Sequence, residues 1–416
     1  MSALLISGLP LTGAVIVRWS NARRIVIFLL LAVALGAADL IRLGSRYSPI
    51  TTQTIYIRYS LAFAALTALC LLGRSARAGG VSLVHIAWIG FGATVTLSAC
   101  MAGESDGIAT GLWMMIVVPA FFGHALPVVL GKRGLPLLVA ALITSALPYL
   151  LYSVWTYPIE FPYMGVTTNP NSLGVIAAGA TTGLIAVVVA TLNRRHPWLR
   201  LVAILAILST TALVIASGSR TSAFAVLAVA LVALLACYPA LMRRRVRLLG
   251  FVLACAIGAT GALVITGGVA PESVVNIISK FENPRASALN HRDDIWATVW
   301  DGMTILGHGR DYFEGEIGVS AHNSTIQMLG EYGMLAALGV IAIAVLSLLA
   351  TFRYYRSNHR KEEHALTPAL IAVCFWIMAC GEGMMAPLGG AINLSFLIVV
   401  GLVSLATTPS RNPLIL

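Results

Sequence analysis

The sequence predicts an all-helical protein that crosses a membrane about twelve times and carries one large polar loop between its ninth and tenth spans. Three observations support this fold class: the composition, the spacing of long apolar runs and the distribution of basic residues. Of the 416 residues, 58% are hydrophobic and only 10% are charged, whereas a soluble domain carries roughly 25% charged residues. Most of the chain is therefore expected to contact lipid or other apolar helices.

Twelve apolar runs are long enough for membrane spans, since a crossing helix needs about 20 apolar residues. The runs lie near 25–41, 55–72, 81–101, 108–130, 135–153, 172–192, 198–217, 221–240, 248–268, 322–351, 366–385 and 389–407. The stretch 3–17 is apolar but short and contains Pro10, so an interfacial, a re-entrant and a spanning segment all remain open. Arg23 and Arg24 before the first run resemble a signal peptide, but the many later spans favour a retained anchor.

Basic residues collect in every second connection between these runs. Nineteen of the 27 Lys and Arg residues lie there, together with only Glu362 and Glu363 of the 16 acidic residues. Short cytoplasmic loops attract Lys and Arg, so these connections and the C-terminus are predicted to face the cytoplasm. The remaining connections, on the other side, include 101–107, 154–171, 217–222 and 269–320. The net charge of +11 thus follows from topology, and we expect no nucleic-acid partner.

The segment 269–320 holds twelve charged residues and is the only long polar stretch. We therefore divide the chain into N-terminal transmembrane helices (1–268), a large outer loop (269–321) and C-terminal transmembrane helices (322–416) of one membrane-embedded unit. Within the loop, Pro271 is typical of the first turn of a short amphipathic helix.

A second short helix is predicted in the loop, capped by Asn290 and running to about Leu306, where Gly307 stops it. Arg292 opens it, and an apolar face follows at helical spacing: Trp296, Val299, Trp300 and Met303. Arg292 therefore points toward the protein. A guanidinium there either binds an anionic ligand or extends along the helix surface toward water.

Two acidic residues, Asp293 and Asp294, occupy the first turn of this helix. A metal-binding pair is one interpretation, but capping of the helix start explains them better, because adjacent helical residues point apart. The six cysteines lie in or beside apolar runs and form no CxxC motif. We therefore expect neither a disulfide framework nor a zinc site, and the sequence predicts no other metal and no cofactor.

His322 stands where the tenth span begins. The positive end of a helix disfavours an imidazolium ion, and a neutral imidazole can accept a proton; an interfacial histidine without a function is the alternative. Glu331 follows nine residues later, on the opposite helix face and roughly 13 Å deeper, so it is poorly placed to orient His322. It remains a functional candidate as an intramembrane carboxylate, whereas the role of Glu382 stays open.

Arg220 is the only basic residue in a tight polar turn on the outer side. The positive-inside rule disfavours arginine on the outer side of the membrane, so its presence there suggests a function. A contact with a lipid headgroup is the alternative. The preceding outer connection holds four aromatic residues that suit either an interfacial belt or stacking on a sugar: Trp155, Tyr157, Phe161 and Tyr163. Asn171 is predicted to cap the helix that follows.

Several short blocks resemble the O-antigen ligase and polymerase superfamily of bacterial inner membranes. Each block is weakly specific alone, but their order and spacing between about 165 and 335 are more so. The blocks are Asn169-Pro170-Asn171-Ser172-Leu173-Gly174, Ser217-Gly218-Ser219-Arg220-Thr221, Arg292-x3-Trp296 with Gly307-His308-Gly309 and Phe313, and His322-Asn323-Ser324 with Leu329-Gly330-Glu331-Tyr332-Gly333.

The resemblance implies a multi-pass inner-membrane glycosyltransferase of the GT-C-like type, inverting and metal-independent, whose active site faces the periplasm. Its donor would be O-antigen polysaccharide on undecaprenyl diphosphate, and its acceptor the lipid A–core oligosaccharide, with membrane lipids around both. His322 would be the base, and Arg220 and Arg292 would bind the diphosphate. Asn323 and Asn171 would contact substrate.

Two alternatives remain. An O-antigen polymerase shares the same motifs, and no residue separates it from a ligase. A polysaccharide-lipid flippase would also have many spans and intramembrane charges, but transporters usually consist of repeat-related halves. The single large loop breaks such symmetry.

Overall fold

The computed structural model describes residues 11–42, 52–72, 82–131, 133–192, 197–243, 292–359, 362–385 and 389–407. Within these ranges the chain forms helices and no strands. The helices are α1 (Leu11–Asp39), α2 (Thr52–Leu71), α3 (Leu83–Ala102), α4 (Ser105–Leu112), α5 (Leu126–Leu130), α6 (Gly134–Thr156), α7 (Pro170–Thr191), α8 (Pro197–Ser217), α9 (Arg220–Arg243), α10 (Arg292–Asp301), α11 (Ser324–Asn358), α12 (Thr367–Ala379) and α13 (Ala391–Thr407). A π-helical segment, Trp113–Ala125, joins α4 to α5, and a 3₁₀ turn, Leu40–Arg42, follows α1.

Among the described residues, eight helices are long and apolar enough to cross a membrane, which supports a helical, membrane-embedded protein with several spans. Three shorter apolar helices, within α2, α12 and α13, cover three more of the twelve predicted runs. The predicted run at 248–268 lies outside the described residues. Of the apolar stretch at 3–17, residues 11–17 belong to α1, and the rest is also outside the described part.

α7 forms the centre of the bundle. It packs against α6, α8, α9 and α12, and most of its residues are buried. Small residues allow this close approach; a Cβ on Gly183 would lie 2.9 Å from Cγ1 of Ile143. α12 and α13 are also apolar on nearly every side and buried. These contacts fix the helix ends that carry the polar residues.

α11 is interrupted at Gly333, whose φ of +86° lies in the left-handed region. The segment 304–309 runs alongside this interruption and takes up its backbone hydrogen bonds. The bonds run from Met334 N to Thr304 O, from His308 N to Gly330 O and from Gly309 N to Glu331 O, each 2.9 Å long. Irregular backbone in a membrane protein is tolerated where protein satisfies its polar groups, and here the loop does so.

The same pairing corrects the predicted extent of the second loop helix. α10 ends at Asp301, not near Leu306, because the following residues turn to pair with α11. Trp300, within α10, is 60% exposed rather than part of an inward face. The Arg310 side chain forms an ion pair of 2.7 Å with Asp106, in the first turn of α4. This contact joins the described part of the loop, 292–320, to the transmembrane helices. The first predicted loop helix, at Pro271, lies outside the described residues.

Candidate active site

Four helix ends meet at one end of the bundle: the starts of α7, α9 and α11 and the end of α12. The opposite end of α11 carries Arg353 and Arg356. After α12, the segment Cys380–Met385 is non-helical and presents its backbone carbonyl groups to the surrounding helices. The predicted site residues approach this segment from three different elements.

Arg292 reaches the segment from α10. Its Nη1 donates a hydrogen bond to the Gly381 carbonyl at 3.0 Å. Burial lowers the pKa of this guanidinium, the nearby Glu382 carboxylate raises it, and Arg220 lowers it. Arg292 thus faces the protein and lies within electrostatic reach of both Glu382 and Arg220.

Two contacts of α10 hold Arg292 in this position. The Trp296 indole Nε1 donates to the Ala321 carbonyl at 2.9 Å, and Val299 is buried among loop and α11 residues. Of the four predicted apolar positions, these two turn inward, whereas Trp300 and Met303 are exposed. The two inward-facing residues, Trp296 and Val299, are also the two that are closest to Arg292 in the sequence.

His322 lies opposite Glu382. The His322 Nδ1 is 3.5 Å from the Glu382 Oε2, at the outer limit of a hydrogen bond. The His322 side chain is 42% exposed and that of Glu382 15%. His322 has a φ of +48°, uncommon for a residue with a side chain. This backbone turn directs the chain from the loop into α11.

Glu382 is held by the first residue of α11. The Ser324 hydroxyl donates to the Glu382 carbonyl at 2.9 Å and accepts from the Met384 amide at 2.8 Å. The buried Glu382 Oε1 accepts no hydrogen bond within the described part of the chain. The backbone at Glu382 is therefore held in place, and its carboxylate keeps unused acceptor capacity.

Arg220 begins α9 at the same location. The next residue, Thr221, packs so tightly on Gly381 that a Cβ there would lie 2.1 Å from the Thr221 Oγ1. The start of α7 abuts the turn before Arg220, where a Cβ on Gly174 would lie 2.6 Å from the Ser219 Cβ. The structure thus brings Arg220, Arg292 and His322 together around residues 380–382.

Asn323 performs a structural task in this cluster. Its Oδ1 accepts from the Thr325 and Ile326 amides at 2.9 Å and 3.1 Å, which caps α11. Its Nδ2 donates to the Cys380 carbonyl at 3.0 Å. Asn323 therefore joins the start of α11 to the 380–385 segment, beside His322.

Asn171 is not the cap of α7, and that prediction was wrong. Asn169 occupies the cap position, and its side chain accepts from the Ser172 amide at 2.8 Å. Pro170 explains the shift of two residues, since proline favours the first helical position. Asn171 sits in the first turn of α7, three residues before Gly174 and its contact with Ser219.

Sequence reasoning left Glu382 open and did not consider Arg42. Burial lowers the pKa of Arg42, while Asp39 and Glu382 raise it. Its Nη2 donates to the Gly389 carbonyl at 2.8 Å, and the Asp39 Oδ1 accepts from the Ala391 amide at 2.8 Å. Arg42 lies in a connection predicted to face outward, so the same charge rule that singled out Arg220 could have found it.

Glu331 has its hydrogen-bond partner on its own helix. Its carboxylate accepts from the Gln327 amide at 2.8 Å, and it is buried. In the aromatic connection before α7, Phe161 packs against the turn that precedes Arg220. A Cβ on Gly218, in that turn, would lie 3.0 Å from the Phe161 ring. In contrast, Trp155 is 92% exposed.

No group of three or more His, Cys, Asp and Glu side chains suited to a metal ion occurs among the described residues. Asp293 and Asp294 are exposed in the first turn of α10. The polar cluster is instead dominated by guanidinium groups, which suit oxyanions such as phosphate.

Comparisons with known proteins do not place the chain. No family model matches the sequence, and no curated protein is significantly similar to it.

Proposed function

We propose that this protein is an O-antigen ligase of the bacterial inner membrane. It would transfer polysaccharide from undecaprenyl diphosphate to the lipid A–core oligosaccharide at the periplasmic face, with its C-terminus in the cytoplasm. One observation carries the proposal: Arg220, Arg292 and His322, far apart in sequence, gather around Glu382 at one end of the bundle.

The two arginines suit the donor diphosphate. Guanidinium groups form charge-assisted, often bidentate hydrogen bonds with phosphate oxygens. As the glycosidic C–O bond breaks, negative charge grows on the departing diphosphate. Fixed positive groups at that point stabilise the transition state. Arg220 and Arg292 would supply this stabilisation without a metal ion.

His322 suits the role of general base. An acceptor hydroxyl would give its proton to a ring nitrogen of His322 while its oxygen forms the new bond to the anomeric carbon. Undecaprenyl diphosphate leaves from the other side, so the configuration at that carbon inverts. Glu382 beside the ring would stabilise the resulting imidazolium.

The length of α12 supports a substrate that remains in the membrane. Its 13 residues give about 20 Å at 1.5 Å per residue, less than the roughly 30 Å of a hydrocarbon core. The cluster that follows α12 would therefore lie within reach of lipid chains. A lipid-linked donor and a lipid-linked acceptor both require this.

A transfer assay tests the proposal. Purified protein receives lipid-linked O-antigen and lipid A–core in the presence of a metal chelator. We expect transfer by the wild type and a loss of about 10²–10⁴-fold in His322→Ala, the usual worth of a general base. Arg292→Lys should also lose activity, because lysine lacks the planar fork.

Matched controls are available at the other end of α11. His359 and Arg353 are exposed there, so His359→Ala and Arg353→Lys should transfer at the wild-type rate. Wild-type activity in His322→Ala would refute the base assignment, and an absolute requirement for metal would refute the role of the arginines. Elongation of lipid-linked repeats instead of transfer to lipid A–core would indicate a polymerase. Net movement of donor across a bilayer without transfer would indicate a flippase.

A further inference from the structure

The end of α10 and the segment that follows it expose three large apolar side chains. Ile305 is 61% exposed and Met303 42%, and Trp300 is exposed as well. We call these three residues the loop patch. Apolar side chains that stand together on the surface of a protein mark a contact with another apolar surface.

The loop patch adjoins a face of α11 that points away from the bundle. The backbone of Thr304 and Ile305 accepts hydrogen bonds from Met334 and Leu335 of α11, at 2.9 Å and 3.5 Å. From this point on, one face of α11 exposes apolar residues at helical spacing: Met334, Leu338, Ile341 and Val345. Because α11 is long and apolar enough to span a membrane, this face is suited to lipid, and the loop patch continues it.

A contact with α3 shows how far along the bundle the segment lies. The Ser98 hydroxyl donates a hydrogen bond to the Leu306 carbonyl. Ser98 stands about one turn, or roughly 6 Å, before the end of α3 at Ala102, and α3 is itself a candidate span. Its neighbours Leu97 and Met101 are large, apolar and exposed. The segment is therefore level with the apolar part of α3 and not beyond its end.

The polar groups of the segment are arranged as contact with lipid requires. Irregular backbone at membrane depth is tolerated only where protein satisfies its hydrogen bonds. The carbonyl groups of three consecutive residues, Thr304, Ile305 and Leu306, all accept hydrogen bonds from α11 or α3. Residues 302–307 also carry no charge, whereas Asp301 precedes them and Arg310 follows.

We propose that the loop patch is immersed in the bilayer, in the leaflet on the side where α3 ends and α11 begins. Trp300 would lie at the level of the headgroups, where tryptophan is enriched, and Met303 and Ile305 among the acyl chains. Lipid on one side and α11 on the other would hold the loop, and Arg292 with it, against the bundle. The partner is the bilayer itself and not a substrate, so the inference does not depend on the proposed transferase.

Spin labelling of the full-length protein tests this inference. The six native cysteines are replaced by alanine, and one new cysteine carries a nitroxide in liposomes of phosphatidylethanolamine and phosphatidylglycerol. Met303→Cys and Ile305→Cys probe the loop patch. Leu338→Cys, on the exposed face of α11, is the control for lipid, and Glu314→Cys, at an exposed acidic position of the same loop, is the control for water.

Power saturation compares collisions of the nitroxide with oxygen, which concentrates in hydrocarbon, and with a nickel chelate, which stays in water. We expect the ratio of oxygen to nickel collisions at positions 303 and 305 to exceed one, as at 338, and to fall below one at 314. The melting temperature of each variant identifies any that fails to fold, and the two positions in the patch give independent readings.

Two results would overturn the inference. Ratios at 303 and 305 that match the ratio at 314 would place the loop patch in water. Few collisions with either reagent would show that protein covers the patch; spectra that sharpen on dilution with unlabelled protein would then identify a second copy, and unchanged spectra another part of this chain, such as the predicted run at 248–268.

Discussion

Two carboxylates near the start of α11 differ in their surroundings, although both are largely buried. Glu331 lies on α11 itself and accepts a hydrogen bond from Gln327, one turn earlier. Glu382 lies in irregular backbone after α12, faces His322, and affects the pKa of Arg42 and Arg292. Its Oε1 accepts no hydrogen bond from the described residues.

The comparison distinguishes an acid with a hydrogen-bond partner on its own helix from an acid that faces groups from distant parts of the chain. Within a membrane protein, a polar group with a local partner on its own helix is readily explained by stability. A carboxylate that faces guanidinium groups and an imidazole from distant parts of the chain is a candidate for a functional role in a membrane protein. Under the proposed function, Glu382 would take part in the chemistry and Glu331 would have a packing role.

The largest expected effect comes from replacing the two acids in the same way. Glu382→Gln should lower the rate of glycosyl transfer about 100-fold, because the imidazolium formed at His322 loses its counter-charge. Glu331→Gln should stay within about threefold, since an amide can still hydrogen-bond Gln327. Initial rates of the purified variants give both values, and equal losses would remove the distinction.

A smaller effect on activity, but a larger one on stability, is expected where the loop pairs with α11. Gly333→Ala would place a Cβ 2.3 Å from the Ile305 carbonyl at a φ of +86°. Left-handed backbone costs a residue with a side chain about 1–2 kcal/mol, and the clash adds to it. We expect a melting temperature several degrees lower, measured by thermal unfolding in detergent.

Gly315→Ala is the matched control for this change, since a Cβ on Gly315 meets nothing within 4 Å. It should melt close to the wild type. If Gly333→Ala melts with the wild type as well, the 304–309 segment is not held against α11 as described.

The sequence predicted the helices well because length and hydropathy determine a span. It also singled out Arg220, Arg292 and His322, because charge or polarity at those positions departs from the surrounding pattern. Each of these predictions depended on the local sequence around the residue.

Features that depend on distant contacts could not be predicted in this way. Glu382 meets His322 across 60 residues, and nothing in its local sequence indicates that partner. α10 stops at Asp301 because the following segment pairs with α11. The cap of α7 was misplaced for a local reason, since Pro170 was not used to fix the first helical position.

A double-mutant cycle tests most directly whether His322 and Glu382 act as one unit. Transfer rates would be measured for wild type, His322→Ala, Glu382→Gln and the double variant at one pH. Residues that act together give non-additive losses, so we predict that the double variant is no slower than His322→Ala. A double variant whose loss equals the product of the two single losses would contradict the paired role of these residues.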